Sequence, residues 1–214
     1  AEGSVGGGTG MNCYGYKGGT GTASRRVDVG GSTYTVATLM QANFGSRREL
    51  TVLGVPVGRD LLGDNPLEDS DWLAPPGAGS CIVVIATDAP LLPGQCKALA
   101  RRVPLGLART GTTGSHFSGD IFLAFSTANL GALGSTLVPG AEAAALQHME
   151  FLPWSVLDGL FEAVVQCVEE STLNALVAGR TTVGRDGHRS PGLPRDRVAE
   201  QVLAAGRART PGAS

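Results

Sequence analysis

At 214 residues, with a formal net charge of −2, the chain is long enough for one large domain and offers no basic surface. Lys and Arg are dispersed, paired only as Arg25-Arg26, Arg47-Arg48 and Arg101-Arg102, which gives nucleic acid or an anionic membrane no electrostatic footing. Ordinary apolar content with little net charge favours a packed core, and 32 glycines beside few aromatics predict tight turns and close backbone contacts.

Cys13, Cys81, Cys96 and Cys167 stand far apart, with no Cys-x-x-Cys. They read as free, buried thiols of a reducing compartment, and neither a zinc site nor a redox pair is expected. No apolar run reaches the length of about 18 residues that a membrane-spanning helix needs. No leader peptide is visible. The chain opens at Ala1-Glu2 inside a glycine-rich motif, which reads as a sequence lacking an N-terminal portion.

In chain order, residues 3–31 carry a glycine run that reads as loops interleaved with short extended pieces. It lacks the order of a phosphate-binding loop, because Lys17 precedes Gly18-Gly19-Thr20 instead of following the glycines. Close backbone packing or the lining of a cleft is the reading it supports. Thr33–Ala42 is rich in β-branched residues and predicts a strand that ends at Asn43-Phe44-Gly45; residues 49–57 predict another. Residues 59–79, with Asp60, Asp64, Glu68, Asp69 and Asp71 followed by Pro75-Pro76-Gly77, predict an unpacked linker on which Trp72 could dock. Ile82–Ala86 is a continuous apolar run, the pattern of a strand covered on both faces. Pro93–Arg109 predicts a helix kinked or ended at Pro104, Ile121–Ser126 a further strand, and Trp154–Val177 the strongest helix, stopped at Gly179. Arg197–Ala205 closes the chain as a short helix. Strands alternating with long helices predict helices packed on a sheet.

Three places carry candidate chemistry. Gly79-Ser80 puts a hydroxyl at the head of a buried strand, behind a loose leader. Cleavage of that bond would leave Ser80 with a hydroxyl and an α-amine, nucleophile and base on one residue. Gly79 suits the scissile position, since it tolerates strained backbone angles. Ser118-Gly119-Asp120 offers a hydroxyl and a carboxylate suited to an ammonium group, although a turn with Asp120 capping a strand fits the same residues. Asn43 offers an amide N–H for a developing oxyanion, and equally fits a turn. His116 lies near Ser115, Ser118 and Asp120 but lacks a Gly-x-Ser-x-Gly elbow, so it reads as a loop or cleft-lining residue. His116, His148 and His188 are too scattered for a metal site.

Together these residues resemble the DmpA-type aminopeptidases, the L-aminopeptidase/D-esterase and β-peptidyl aminopeptidase family. The resemblance runs through Val5–Met11, Cys13–Arg25, Gln41–Gly45, Gly79-Ser80, Val83–Pro93, Ser118–Asn129, Asn174-Ala175-Leu176 and Gly184–Gly187. It implies an α/β (α+β) four-layer αββα sandwich, akin to N-terminal-nucleophile hydrolases but differently connected. It implies one catalytic domain over 1–214, cut into an α chain ending at Gly79 and a β chain of 80–214. Ser80 then corresponds to the nucleophile, Asn43 to the oxyanion-hole asparagine, and Ser118 and Asp120 to the element supporting the nucleophile and the substrate amine. The implied reaction releases N-terminal residues from small peptides, amides or esters through an acyl-enzyme, without cofactor or metal. The implied assembly is a homo-oligomer of αβ units in the cytoplasm, or alternatively the periplasm. Phe117 departs from the small residue expected beside the site serine, and predicts a narrowed cleft. An ornithine acetyltransferase-like acyl transferase is the alternative, disfavoured because that family has threonine at the cleavage position; an inactive truncated homologue is the other.

Overall fold

The computed structural model describes residues 1–66, 79–132 and 148–209. A 3-10 turn at Gly6–Gly10 leads into the short antiparallel pair β1 (Asn12–Cys13) and β2 (Tyr16–Lys17). Then comes β3 (Gly19–Val29), which turns at Gly30-Gly31 into β4 (Ser32–Asn43) with Val29 opposite Ser32. This is the two-residue hairpin loop that matches strand twist. β5 (Ser80–Thr87) pairs antiparallel with β4, and β6 (Ile121–Ser126) pairs parallel with β5, giving the order β3-β4-β5-β6. A parallel neighbour needs a crossover. It is supplied by α1 (Pro93–Ala100) and α2 (Val103–Arg109). α3 (Asp158–Ala178) packs across β3 and β4 and against α2. The hairpin of β7 (Thr182–Val183) and β8 (Arg189–Ser190) and helix α4 (Arg195–Arg209) follow.

Strand alternation sorts the sheet into two faces. Val36, Met40, Val83 and Ile85 turn inward and are fully buried; α3 covers the β3 and β4 part of this face, and its Leu160, Val164, Cys167, Val168 and Leu176 recur at helical spacing. Leu39, Ile82, Ile121, Leu123 and Phe125 turn the other way and are exposed. Of the four layers expected, the described residues supply one helix layer and one sheet layer. The reading of Ile82–Ala86 as covered on both faces is therefore corrected: among the described residues only one face has a cover.

Other differences have local causes. The glycine run contains β3, an 11-residue strand. A methyl group at Gly21 would collide with the Ser171 carbonyl of α3, so glycine there lets helix and sheet approach. Residues 49–57 do not form a strand. They fold as a 3-10 turn at Arg47–Glu49, a bridge between Val52 and Val55, and a second turn at Val57–Asp60.

The predicted linker begins packed, with Leu61, Asn65 and Pro66 buried. The buried Arg47 holds this stretch by donating to the carbonyls of Leu61 (3.0 Å), Gly63 (3.0 Å) and Asp64 (3.3 Å), and to those of Tyr14 (2.8 Å) and Gly15 (2.5 Å). Its guanidinium also stacks 3.4 Å from the Tyr16 ring centroid. Trp72 and the acidic and proline residues of 67–78 lie outside the described residues. The helix expected over Pro93–Arg109 is two helices, with Pro104 in the first turn of the second, where its missing N–H costs nothing. Among the described residues, no helix is long and apolar enough to cross a membrane.

Candidate active site

The head of β5 and the end of β4 meet. Ser80 and Asn43 are directly paired across the sheet, so their side chains share a face. The Asn43 Oδ1 accepts the backbone N–H of Asn12 at 3.0 Å. That bond fixes the amide orientation and leaves Nδ2 as a donor with no acceptor among the described residues. Asn12 is held in turn by its pairing with Lys17. The Lys17 ammonium is buried and donates to the carbonyls of Gly8, at 3.3 Å, and Met11. Burial lowers its pKa from the ordinary lysine value.

The loop entering β6 completes the cluster. The Gly119 N–H donates to Ser80 Oγ at 2.8 Å. Asp120 Oδ1 accepts the backbone N–H of Cys81 at 2.8 Å and the Ser118 hydroxyl at 2.6 Å. The Cys81 side chain also hydrogen-bonds to this carboxylate. Burial, reinforced by the Asp120 carboxylate, pushes the Cys81 thiol well above the ordinary cysteine range. The thiol beside Ser80 therefore stays protonated and is a poor nucleophile.

Gly79, the residue before Ser80, has φ +145°, and a methyl group on it would collide with the Asn43 carbonyl oxygen. Only glycine fits there. Gly79, Ser118 and Asp120 also line a cavity of about 760 Å³ whose walls include Phe44, Leu107 and Phe122. His116 lines this cavity, whereas Phe117 does not: its ring is 61% exposed and stacks on His116, with centroids 4.0 Å apart. The expectation that Phe117 narrows the cleft is corrected accordingly.

Gly79, Ser80, Asn43, Ser118 and Asp120 thus meet at one end of the sheet, with His116 in the cavity wall beside them. What sequence reasoning missed was the donor role of the Gly119 N–H, the Asn12 N–H that orients Asn43, and Glu49 in the cavity wall. The first two are backbone groups and carry no side-chain signal. Among the described residues, no group of three or more His, Cys, Asp or Glu could hold a metal ion.

The class follows from the fold. The structure superposes with TM-score 0.84 on an L-aminopeptidase D-Ala-esterase/amidase from Ochrobactrum anthropi, at 41% identity over 96% of this chain and 53% of the other. That enzyme is described as a prototype for the serine aminopeptidases and a new variant among the N-terminal-nucleophile hydrolase fold, and this chain has the same fold. A β-aminopeptidase from Burkholderia sp. superposes with TM-score 0.80 at 43% identity, over 96% of this chain and 54% of its own. The β-peptidyl aminopeptidase BapA of Sphingosinicella microcystinivorans is 46% identical over 205 residues, 91% of this chain and 49% of the relative. The chain belongs to peptidase family S58, whose model matches residues 1–190. It spans about half the length of the curated relatives it matches.

Proposed function

We propose that this chain carries the nucleophile of a self-processing serine aminopeptidase that releases N-terminal residues from small peptides, amides or esters. In processing, Ser80 Oγ attacks the Gly79 carbonyl. The Gly79–Ser80 C–N bond breaks, the proton lost by Oγ passes to the departing nitrogen, which becomes the α-amine, and the acyl group is left on Oγ as an ester. Water hydrolyses that ester, leaving residues 1–79 with a new carboxylate and Ser80 as a free N-terminus. In turnover the α-amine accepts the Oγ proton, Oγ attacks the substrate carbonyl, and an acyl-enzyme forms and is hydrolysed.

Each neighbour has a task. The Gly119 N–H lowers the cost of negative charge on Oγ. Asn43 Nδ2 faces the developing oxyanion, and loss of such a donor slows turnover by about 100- to 1,000-fold. Asp120, aligned by Ser118 and the Cys81 N–H, takes the substrate ammonium or the Ser80 α-amine in a charge-assisted bond. The single observation that carries this reading is the 2.8 Å bond from the Gly119 N–H to Ser80 Oγ, with the Asp120 carboxylate and the Asn43 amide at the same end of the sheet. The relatives' printed names, β-peptidyl aminopeptidase and L-aminopeptidase D-Ala-esterase/amidase, support both α- and β-residues as candidate substrates. Four buried, unpaired thiols support a reducing compartment, hence the cytoplasm. Assembly as an oligomer of αβ units belongs to the same reading, and light scattering of the processed protein checks it.

Intact mass and N-terminal sequencing of purified protein test the core claim. A chain beginning at Ser80 is expected from the wild type, and an unbroken chain from Ser80→Ala. A Ser80→Ala protein that is still cut at this bond would sink the nucleophile assignment. Asp120→Asn should lower aminopeptidase kcat/KM by at least about tenfold, since a charge-assisted bond to the amine is lost. Unchanged kinetics would leave Asp120 as a strand cap.

A further inference from the structure

The ester formed during processing is itself an acyl-enzyme, with Gly79 as the acyl residue on Ser80. The place Gly79 occupies is therefore the place a substrate's released residue must take, and Gly79 lines the 760 Å³ cavity. The cavity has an apolar floor, made by Phe44, Leu107 and Phe122, and a polar rim. Glu49 stands in that wall. Its Oε2 accepts the Ser46 N–H at 3.0 Å and its Oε1 accepts the Thr113 hydroxyl at 2.9 Å, so the half-buried carboxylate is fixed in place. With Asp120 it makes two carboxylates in the lining, and among the described lining residues there is no Lys or Arg. His116 is the one imidazole in the lining.

We propose that this cavity is the side-chain pocket for the released residue, and that Glu49 makes it select neutral and cationic side chains and reject carboxylate ones. The proposal rests on the aminopeptidase reading for its chemistry. The physical cause is like-charge repulsion: a substrate carboxylate entering the cavity would lie beside the fixed Glu49 carboxylate, in a lining whose described residues include no Lys or Arg, although Arg48 and Arg59 flank Glu49 on the neighbouring surface. An apolar side chain gains burial on the floor. A long cationic one lays its stem there and reaches the Glu49 rim with its head.

The test uses the full chain at pH 8 and p-nitroanilides of leucine, lysine and glutamic acid, each as the α-residue and as its β3-homologue, so that backbone preference cancels. Wild-type kcat/KM should be about tenfold or more lower for the glutamyl than for the leucyl member of each series. Glu49→Gln should shrink that ratio by about tenfold, chiefly through KM. Equal rates for the leucyl and glutamyl substrates, or a ratio unmoved by Glu49→Gln, would overturn the proposal. Should Glu49→Gln not fold, the wild-type ratio measured at low and at high salt replaces it: the ratio must shrink as salt screens the carboxylate, and a salt-independent ratio overturns the proposal. Calorimetry of leucinamide, lysinamide and glutamic acid α-amide binding to wild-type protein cut at Gly79–Ser80, in which Gly79 no longer fills the pocket, separates the two readings. Binding that rejects the glutamyl amide, without turnover of any substrate by the wild type, keeps the pocket and removes the aminopeptidase. Absence of binding by all three amides removes the pocket.

Discussion

The two faces of the four-stranded sheet are built from similar residues and meet different fates. On one face Val36, Met40, Val83 and Ile85 are fully buried. On the other, Leu39 is 46%, Ile82 47%, Ile121 59% and Leu123 55% exposed. An apolar run along a strand signals that both faces suit burial. It does not say which layer buries them. The candidate site sits where this difference ends: Ser80 and Asn43 belong to the alternation of the open face, whereas the neighbouring Cys81 is buried on the covered side, its N–H bound by the exposed Asp120 carboxylate. Ser80 thus stands at the rim of the covered part of the sheet.

The sharpest way to break this comparison is to cut into the covered face. Ile85→Ala should cost about 2–5 kcal/mol, because the surrounding core cannot collapse fully into the space. Urea denaturation measures it, and a loss below about 1 kcal/mol would mean the helix layer is loosely packed.

A smaller effect follows from pH. Cys81 and Cys13 have an ordinary thiol value of 9.0, raised by burial, and burial likewise pushes Cys167 up to about 11. The folded chain keeps protons that the unfolded chain releases. This stabilisation is complete below pH 9 and is lost as pH rises through 9 toward the folded values. The urea midpoint should therefore fall from pH 9 upward, and Cys81→Ala should flatten the fall. Midpoints independent of pH between 8 and 11 would contradict it. The exposed apolar residues of the open face add nothing to this titration.

The smallest effect belongs to that open face. Ile82→Ser should change stability by no more than about 0.5 kcal/mol. A cost like that of Ile85→Ala would show that the face is covered in solution.

Much of the site was legible because its chemistry is local. Gly79-Ser80, Asn43 and Ser118-Gly119-Asp120 announce themselves by residue type, β4 by its β-branched content, β5 and β6 by their apolar runs, and α3 by its periodicity. The misread segments are those in which distant backbone decides. Residues 49–57 look like a strand, yet they turn because the Thr51 N–H goes to the Thr110 carbonyl and the Gly58 N–H to that of Leu50. The start of the linker looks solvated, yet it packs because Arg47, an ordinary surface residue in a sequence reading, donates to carbonyls from both sides of it.

From the sequence alone came the candidate reactive groups and the places of the main strands and of α3, since these depend on residue chemistry and spacing along the chain. Only the tertiary structure decided that Asn43 stands opposite Ser80, that the Gly119 N–H reaches the hydroxyl and that one sheet face is covered. Each of these is a contact between residues 37 or more apart in sequence, set by strand register and helix packing, which no local pattern encodes.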